Sequence, residues 1–304
     1  MSAMKLYAPS YYRDFACIAD RCRHSCCIGW EIDVDDVSLK RYTALTDGYG
    51  KRIVESISLD GTPHFKLCEG DRCPHLNGAG LCRIILSLGE DYLCDICREH
   101  PRFYHDTVRG KEVGLGMACE EACRLILQSD AYQDFVEVEV LDGEAEGMDF
   151  DVLPYRARLY ALLSDRSVPY ADRLRAVYAE YGISPDVLAD GEWRELLDSL
   201  EYLDSAHRAM LAGYASSLDT PRWLEKPLER ALAYFIFRHC SQSYDEDDFL
   251  CALGFCLFGE RLLASLAKEE EEDNFDALIC LAQTVSEELE YSEDNTDQIK
   301  LAFE

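Results

Sequence analysis

Cysteine is the residue that most restricts how this chain can fold. Eleven of its 15 cysteines lie in residues 1–123, together with five of its seven histidines. In a small secreted domain this density would indicate a disulfide framework, but the chain has 304 residues, and residues 1–13 resemble no signal peptide. We therefore expect a cytoplasmic protein with reduced thiols, and metal or redox chemistry in this part of the chain.

The cysteines of this region fall into three closely spaced groups. They are Cys17-x4-Cys22-x3-Cys26-Cys27, then Cys68-x4-Cys73, Cys82 and Cys94-x2-Cys97, and finally Cys119-x3-Cys123. Thiolates are soft ligands that select zinc, copper(I) or iron–sulfur clusters, and close spacing lowers the entropy cost of gathering several of them. The spacing predicts that most cysteines from Cys17 to Cys97 converge on a metal. A single metal site needs fewer ligands than the eleven candidates. The chain could therefore hold two metal sites, or one cluster with further thiols around it.

The predicted fold class is mainly α, in two parts. Residues 1–145 are expected to form an irregular, cysteine-rich metal-binding module with a few short strands. Residues 28–34 and 135–140 have the pattern of strands, and residues 35–44 begin with acidic residues like a helix. Such a segment has little regular core, so a metal would supply part of its stability.

Residues 146–304 are predicted to form an acidic, all-α helical bundle. Apolar residues recur at spacings of three and four in seven segments, which are residues 155–163, 171–181, 193–203, 206–218, 224–240, 248–266 and 275–289. The cysteines of this part have apolar neighbours and no chelating spacing, so we assign no role to Cys240, Cys251, Cys256 and Cys280.

The charge of the chain restricts its partners. Lys and Arg number 30 against 59 Asp and Glu, a formal net charge of -29, and residues 124–304 hold 15 of the basic and 40 of the acidic side chains. Nucleic acid is an improbable partner because phosphate backbones need clustered cations. We also expect no membrane span, since no apolar run approaches about 20 residues. The acidic half suits a basic protein surface or a lysine-bearing substrate.

Six motifs in residues 15–102 form a more specific pattern. They are Phe15-x-Cys-Ile-x3-Cys22, Ser25-Cys-Cys-x-Gly-Trp30-x-Ile-Asp33, Cys73-Pro-x-Leu76, Gly80-Leu-Cys82-x-Ile84, Leu88-Gly-Glu90 and Cys97-x2-His-Pro-Arg102. Together they resemble the flagellin lysine-N-methylase family, within the CxxxCxxCC cysteine-cluster group of zinc- or iron-chelating proteins. The resemblance covers residues 5–125. It implies an enzyme with an iron–sulfur cluster of the 4Fe-4S kind, or zinc, that methylates lysines of flagellin or another lysine-bearing protein from S-adenosylmethionine.

The resemblance also implies a set of metal ligands. They are Cys17, Cys22, Cys26, Cys27, Cys73, Cys82, Cys97 and Cys119. The chain departs from the family at several positions. Cys119 is followed by Glu-Glu where the family has Pro-Glu, and His75 and His100 replace an aromatic residue and a tyrosine. The additional cysteines, which are supporting or unbound thiols in this interpretation, are Cys68, Cys94 and Cys123.

Lysine methylation needs a methyl donor, a neutral amine and a channel that aligns them. The chain has no GxGxxG motif, so S-adenosylmethionine would bind without a Rossmann sheet. Arg102 is a weak catalytic candidate and the candidate to pair with the donor's carboxylate or with a cluster sulfur, with a structural salt bridge as its alternative role. The catalytic base is unassigned, and the weak candidates, each with an ordinary structural alternative, are Glu90, Glu99, Glu120 and Tyr104.

A second function class fits the same sequence. In it, zinc folds residues 1–123 and the acidic helical half binds a basic partner, so the protein is a non-catalytic, zinc-stapled adaptor. Metal identity separates the two hypotheses, since iron–sulfur clusters absorb visible light and zinc does not.

Overall fold

The structure is a computed structural model that describes residues 4–141, 148–271 and 274–304. The chain forms two compact units, of which the first comprises Met1–Phe15 with Arg102–Glu304 and the second comprises Ala16–Pro101. The cysteine-rich region is therefore divided between the units. The predicted domain boundary between residues 145 and 146 lies outside the described residues.

The helices and strands of the described residues are numbered in chain order. The strands are β1 (Met4–Pro9), β2 (Ile57–Ser58), β3 (His64–Phe65), β4 (Arg102–Thr107), β5 (Gly110–Leu115) and β6 (Phe135–Leu141). The helices are α1 (Asp36–Thr43), α2 (Gly48–Glu55), α3 (Arg83–Leu88), α4 (Asp95–Glu99), α5 (Glu120–Gln128), α6 (Leu153–Ser164), α7 (Tyr170–Tyr181), α8 (Asp190–Ser199), α9 (Ser205–Leu211), α10 (Glu225–Phe235), α11 (Glu246–Ala267), α12 (Phe275–Glu290) and α13 (Glu293–Leu301).

The first unit contains a four-stranded sheet in the order β4-β5-β1-β6. Strand β1 is parallel to β5 and antiparallel to β6, and β4 and β5 form an antiparallel pair. The predicted strand at residues 135–140 is confirmed as β6, whereas β1, β4 and β5 were not expected. This mixed sheet differs from the doubly wound parallel sheet of a Rossmann fold.

The helical prediction for the rest of the first unit is confirmed. Each of the seven predicted segments contains a helix, from α6 to α12, and the described chain is about 52% helical. The segment predicted at residues 206–218 is shorter than expected, because α9 ends at Leu211. Helix α13 was not expected. It begins after Ser292, whose hydroxyl accepts a hydrogen bond from the backbone N–H of Asn295, as N-cap residues do.

Helix α11 runs through the core of the first unit. Contrary to the expectation from the sequence, it is long and apolar enough to cross a membrane by length and composition, with a mean hydropathy of 1.7. However, 78% of its most apolar window is buried inside the protein. Its side chains Phe249, Phe255 and Leu262 are fully buried in the core that α10 and α12 share with it. This burial is typical of the central helix of a folded domain.

The second unit has its own small core. The predicted helix at residues 35–44 is confirmed as α1, with the Asp35 carboxylate accepting a hydrogen bond from the Ser38 N–H at its start. The predicted strand at residues 28–34 does not form, because its residues pair only through isolated bridges to two separate segments. The alternation is nevertheless real, since Ile32 and Val34 are buried beside Phe65.

Candidate functional site

Thiols fill positions in the second unit's core that aliphatic side chains would ordinarily fill. Cys94 is 1% exposed and Cys73 is 6% exposed, and three partly buried cysteines pack against the same cluster as Tyr42 and Phe65. We call this group the thiol core, and its members are Cys27, Cys73, Cys82, Cys94 and Cys97. Cysteine is a small hydrophobe when protonated, so such packing is stable without ionisation.

Main-chain hydrogen bonds bring these distant cysteines together. The N–H of Cys73 donates to the carbonyl of Cys27 at 2.8 Å, which joins the first and second sequence groups. Cys82 forms an antiparallel bridge with Leu76 and precedes α3. Cys94 is the N-cap residue of α4, and Cys97 lies within that helix. The thiol core is therefore assembled by the backbone of three segments.

Two motif glycines permit the turns around the thiol core. Gly29 and Gly89 both have a φ of +95°, a conformation that L side chains rarely adopt. The N–H of Gly29 donates to the carbonyl of Asp71 at 3.0 Å, and the indole N–H of the next residue, Trp30, donates to the carbonyl of Cys26 at 2.8 Å. The spacing Cys-Cys-x-Gly-Trp thus encodes a tight turn that holds the adjacent cysteines in place.

The Cys26 and Cys27 thiols interact directly. A hydrogen bond from Cys26 lowers the pKa of Cys27 to about 7, with help from Ser25 and Arg72 and against the effect of burial. A large share of Cys27 is therefore thiolate at neutral pH. Thiolate is the nucleophilic and metal-binding form of cysteine.

The thiols of the Cys94-x2-Cys97 pair are hydrogen-bonded to each other. A hydrogen bond from the Cys97 thiol lowers the pKa of Cys94, and the same bond together with burial raises the pKa of Cys97. Burial also raises the pKa of Cys82, and raises that of Cys73 to about 12. Within the thiol core, Cys27 and Cys94 therefore lose their protons more readily than an ordinary cysteine, and Cys73, Cys82 and Cys97 lose theirs less readily.

The remaining predicted ligands lie in different places. Cys17 is exposed, and the thiol of the partly buried Cys22 donates to the carbonyl of His24 at 2.7 Å. Cys119 belongs to the first unit, where it precedes α5 as its N-cap residue. Cys123, one turn further along α5, is fully buried, and its thiol lies 3.7 Å from the carbonyl of Ile279.

Whether the thiols could hold a metal depends on donor type and on geometry. The donors fit, because clustered thiolates suit zinc and iron–sulfur clusters. The geometry is different: within residues 4–141, 148–271 and 274–304, no group of three or more His, Cys, Asp or Glu side chains is arranged to hold an ion. Five thiols share one core, but their positions do not form a ready ligand set, so the structure does not support the predicted metal-binding module.

His75 has a role that the sequence did not indicate. Its ring is 3% exposed, with Nε2 at 2.9 Å from the Ser56 hydroxyl and Nδ1 at 3.3 Å from the Tyr49 hydroxyl. Burial, reinforced by Arg83, lowers the pKa of His75 to about 4, so the ring is neutral at pH 7. Both ring nitrogens therefore have partners other than a metal.

The candidate cofactor-binding arginine is held by aromatic side chains. The Arg102 Nε donates to the Tyr12 hydroxyl at 2.8 Å, and the guanidinium lies 5.7 Å from the Tyr12 ring centroid and 5.6 Å from that of Phe15. These contacts fix the start of β4, and they leave both roles given for Arg102, donor binding and a structural salt bridge, as predictions.

The weak candidates for the base lie at varied positions. Tyr104 on β4 is 45% exposed, whereas Glu120 on α5 is 8% exposed. Glu90 begins a short 3-10 turn, and Glu99, at the end of α4, is 3.4 Å from Arg98. Tyr104 and Glu120 belong to the first unit, and Glu90 and Glu99 to the second. Their positions select none of them as the catalytic base.

Cys94 is an addition to the family pattern in the sequence, but in the structure it is part of the thiol core. It is the most buried member of the thiol core and the direct hydrogen-bond partner of Cys97. Its two-residue spacing from Cys97 is the spacing typical of metal-binding and redox cysteine pairs, and this signal was present in the sequence.

Comparison with known proteins finds similarity to proteins named for lysine methylation. The chain is 29% identical over 134 residues to the Lysine-N-methylase of Salmonella typhimurium and to that of Salmonella choleraesuis. It is 28% identical over 134 residues to the Flagellar biosynthetic protein FliU of Salmonella muenchen. Each match covers 42% of this chain, and it spans 33% of each Lysine-N-methylase and 79% of FliU. No family model and no solved structure matches.

Proposed function

We propose that this protein is a protein-lysine N-methyltransferase that acts on flagellin with S-adenosylmethionine as the methyl donor. The observation that carries the proposal is the similarity over 134 residues to proteins named Lysine-N-methylase. The motifs Cys-Cys-x-Gly-Trp and Cys-x2-His-Pro-Arg, which resemble the flagellin lysine-N-methylase family, support it. The match covers under half of the chain, so the activity, the substrate and the cytoplasmic location belong to the proposal.

The proposal includes a metal group, an iron–sulfur cluster or zinc, bound by thiols of the second unit. The residues that would hold it are drawn from Cys27, Cys73, Cys82, Cys94 and Cys97, with Cys26 hydrogen-bonded to Cys27. When bound, such a group would supply an open coordination position for the amino and carboxylate groups of the methyl donor.

The pKa values of these cysteines determine how many protons must be released when a metal binds. Cys27 and Cys94 have lowered pKa values and are the first available thiolates, whereas Cys73, Cys82 and Cys97 must lose protons before they ligate. Metal affinity should therefore rise with pH. The lysine amine must likewise be neutral to attack the methyl group, so both steps favour alkaline conditions.

A methyl-transfer assay tests the proposal. Protein prepared without oxygen should transfer labelled methyl groups from S-adenosylmethionine to flagellin, and Cys27→Ser and Cys97→Ser should each reduce transfer by at least about tenfold, since the site loses a ligand. Cys280→Ser is the matched control, because this exposed thiol on α12 has no role in the proposal. Circular dichroism should show the helical content of the parent chain for all three variants.

The outcomes separate the two function classes. Visible absorbance from bound iron, together with methyl transfer, supports the methyltransferase. A different outcome would reject the methyltransferase in favour of the zinc-stapled adaptor. In that outcome the protein is colourless and zinc-loaded, binds no S-adenosylmethionine by calorimetry and transfers no methyl group. Equal loss of transfer in all three variants would show that the cysteine changes act through folding rather than through the site.

A further inference from the structure

A small cleft of the second unit gathers basic and polar side chains outside the thiol core. It encloses about 230 Å³ and is formed by α2, α3 and the segment around His75. We call it the arginine cleft, and the residues that matter for its chemistry are Tyr49, Arg52, Ser56, His75, Arg83 and Ser87.

The two arginines of this cleft have no carboxylate partner among the described residues. Arg52 contacts only the Tyr49 ring, with its guanidinium carbon 5.2 Å from the ring centroid, and the Arg83 side chain has no hydrogen bond or ion pair in the described part of the chain. Elsewhere arginines such as Arg156 and Arg173 are held by buried glutamates. Both guanidinium groups therefore face the cleft without a neutralising carboxylate in the described part of the chain.

The wall behind the arginines is rigid, polar and uncharged. The Ser56 hydroxyl donates to the carbonyl of Ile53 at 2.6 Å, so it must accept from His75 Nε2–H. The opposite nitrogen, Nδ1, is then the acceptor for the Tyr49 hydroxyl. This relay fixes the Tyr49 ring, which in turn supports Arg52. No negative charge of the wall competes for the arginines.

The size of the cleft limits what it can hold. At about 30 Å³ per water molecule in the liquid, 230 Å³ is room for a small group and less than a drug-sized ligand occupies. Guanidinium groups bind carboxylates and phosphates through paired, charge-assisted hydrogen bonds. The exposed Ser87 hydroxyl, near the end of α3, adds a further donor.

We propose that the arginine cleft binds an oxyanion, the phosphate or carboxylate group of a small ligand, between Arg52 and Arg83. The proposal is independent of the methyltransferase activity, since binding to the cleft needs neither a metal nor a methyl donor.

Calorimetric titration of the full chain with inorganic phosphate, and separately with acetate, tests the proposal. We expect saturable binding of at least one of the two anions with a dissociation constant of about 1 mM or tighter. Arg52→Gln and Arg83→Gln should each weaken it at least about tenfold, because each removes charge-assisted hydrogen bonds. Arg83→Lys should restore only part of the affinity, since lysine keeps the charge but loses the paired geometry. The anion that binds more tightly identifies the source of the group.

Lys51→Gln is the matched control, because Lys51 is an exposed cation on α2 next to Arg52 that does not line the cleft. It should change the affinity less than twofold. Absence of saturable binding of both anions would overturn the proposal, and so would equal weakening by Lys51→Gln, which would indicate a general charge effect. The three positions tested, Lys51, Arg52 and Arg83, are exposed in the fold, and unchanged circular dichroism would confirm that the four variants are folded.

Discussion

Two arginines on α6 offer a direct measurement of what burial does to an ion pair. The Arg156 guanidinium binds both carboxylate oxygens of Glu112 on β5 at 2.7 Å, and the two side chains are 5% and 0% exposed. Two residues further along the same helix, Arg158 binds both carboxylate oxygens of Glu180 at 2.8 and 2.9 Å, but there the exposures are 51% and 38%. The hydrogen-bond distances of the two pairs are nearly the same, but the buried pair also has further partners, since Arg109 binds Glu112 at 2.8 Å and Arg156 donates to the Ser241 hydroxyl at 2.9 Å. The two pairs therefore differ both in solvent exposure and in the number of their polar contacts.

We predict that Glu112→Gln destabilises the protein by about 3–5 kcal/mol, because it leaves the Arg156 charge buried without its counter-ion. Arg158→Gln should have a much smaller effect on stability, since water solvates the Glu180 carboxylate that loses its exposed partner. For a folding unit of this size, about 2–4 °C of melting temperature corresponds to 1 kcal/mol, so the expected shift for Glu112→Gln is roughly 6–20 °C.

Thermal unfolding of the parent and the two variants, followed by circular dichroism at one scan rate, measures both shifts. The double variant Glu112→Leu with Arg156→Met should lose less than the sum of its single changes, because it removes both charges together. Similar shifts for Glu112→Gln and Arg158→Gln would refute the reasoning, as would strict additivity in the double variant.

Two further predictions concern the same sheet. Burial, followed by the nearby charges of Arg238, lowers the pKa of His105 from its ordinary 6.5 to about 3, so the unfolded chain takes up a proton that the folded chain refuses. This contribution to the free energy of unfolding should be fully present above pH 6.5 and should fall by up to about 1.4 kcal/mol per pH unit as the pH drops toward 3. In melting curves recorded between pH 7 and 5, His105→Phe should make the decrease of stability with falling pH smaller. In Gly114→Ala, the new Cβ would overlap the Phe103 ring and lie 2.6 Å from Phe237, so we expect a loss of about 1–3 kcal/mol of stability in the same assay. Gly48→Ala is the control, because the space around Gly48 is open and its new Cβ causes no crowding.

The helical part of the fold was predictable because its signal is local. Spacings of three and four located helices α6 to α12, and the alternation in residues 135–140 located β6. The sheet was not predictable as a whole, because β1 pairs with β5 about one hundred residues away, and nothing in the sequence of Met4–Pro9 identifies that partner. Non-local contacts also determine which residues belong to each unit, since the chain leaves the first unit after Phe15 and returns to it at Arg102.

The candidate site was predictable in composition but not in arrangement. Spacing identified the cysteines that lie together, including Cys27, Cys73 and Cys97. It could not rank Cys94 above Cys17, because burial depends on the core formed by α1, β3 and α3. Nor could it show that both nitrogens of His75 bond to hydroxyl groups, which is a consequence of tertiary packing.

The thiol core changes how the second unit's stability should be understood. The sequence predicts a segment with little regular core, to which a metal would supply part of the stability. In the structure, Tyr42, Ile53 and Phe65 are almost fully buried there, and burial keeps Cys73 protonated and hence apolar. The unit therefore has a hydrophobic core in which Cys73, Cys82 and Cys97 stay protonated when no ligand demands their ionisation. On binding a metal, these cysteines would replace their packing contacts with bonds to the metal. Removing the metal would restore the packing, so it need not unfold the unit. The cysteines can therefore have a functional role without being needed to hold the unit folded.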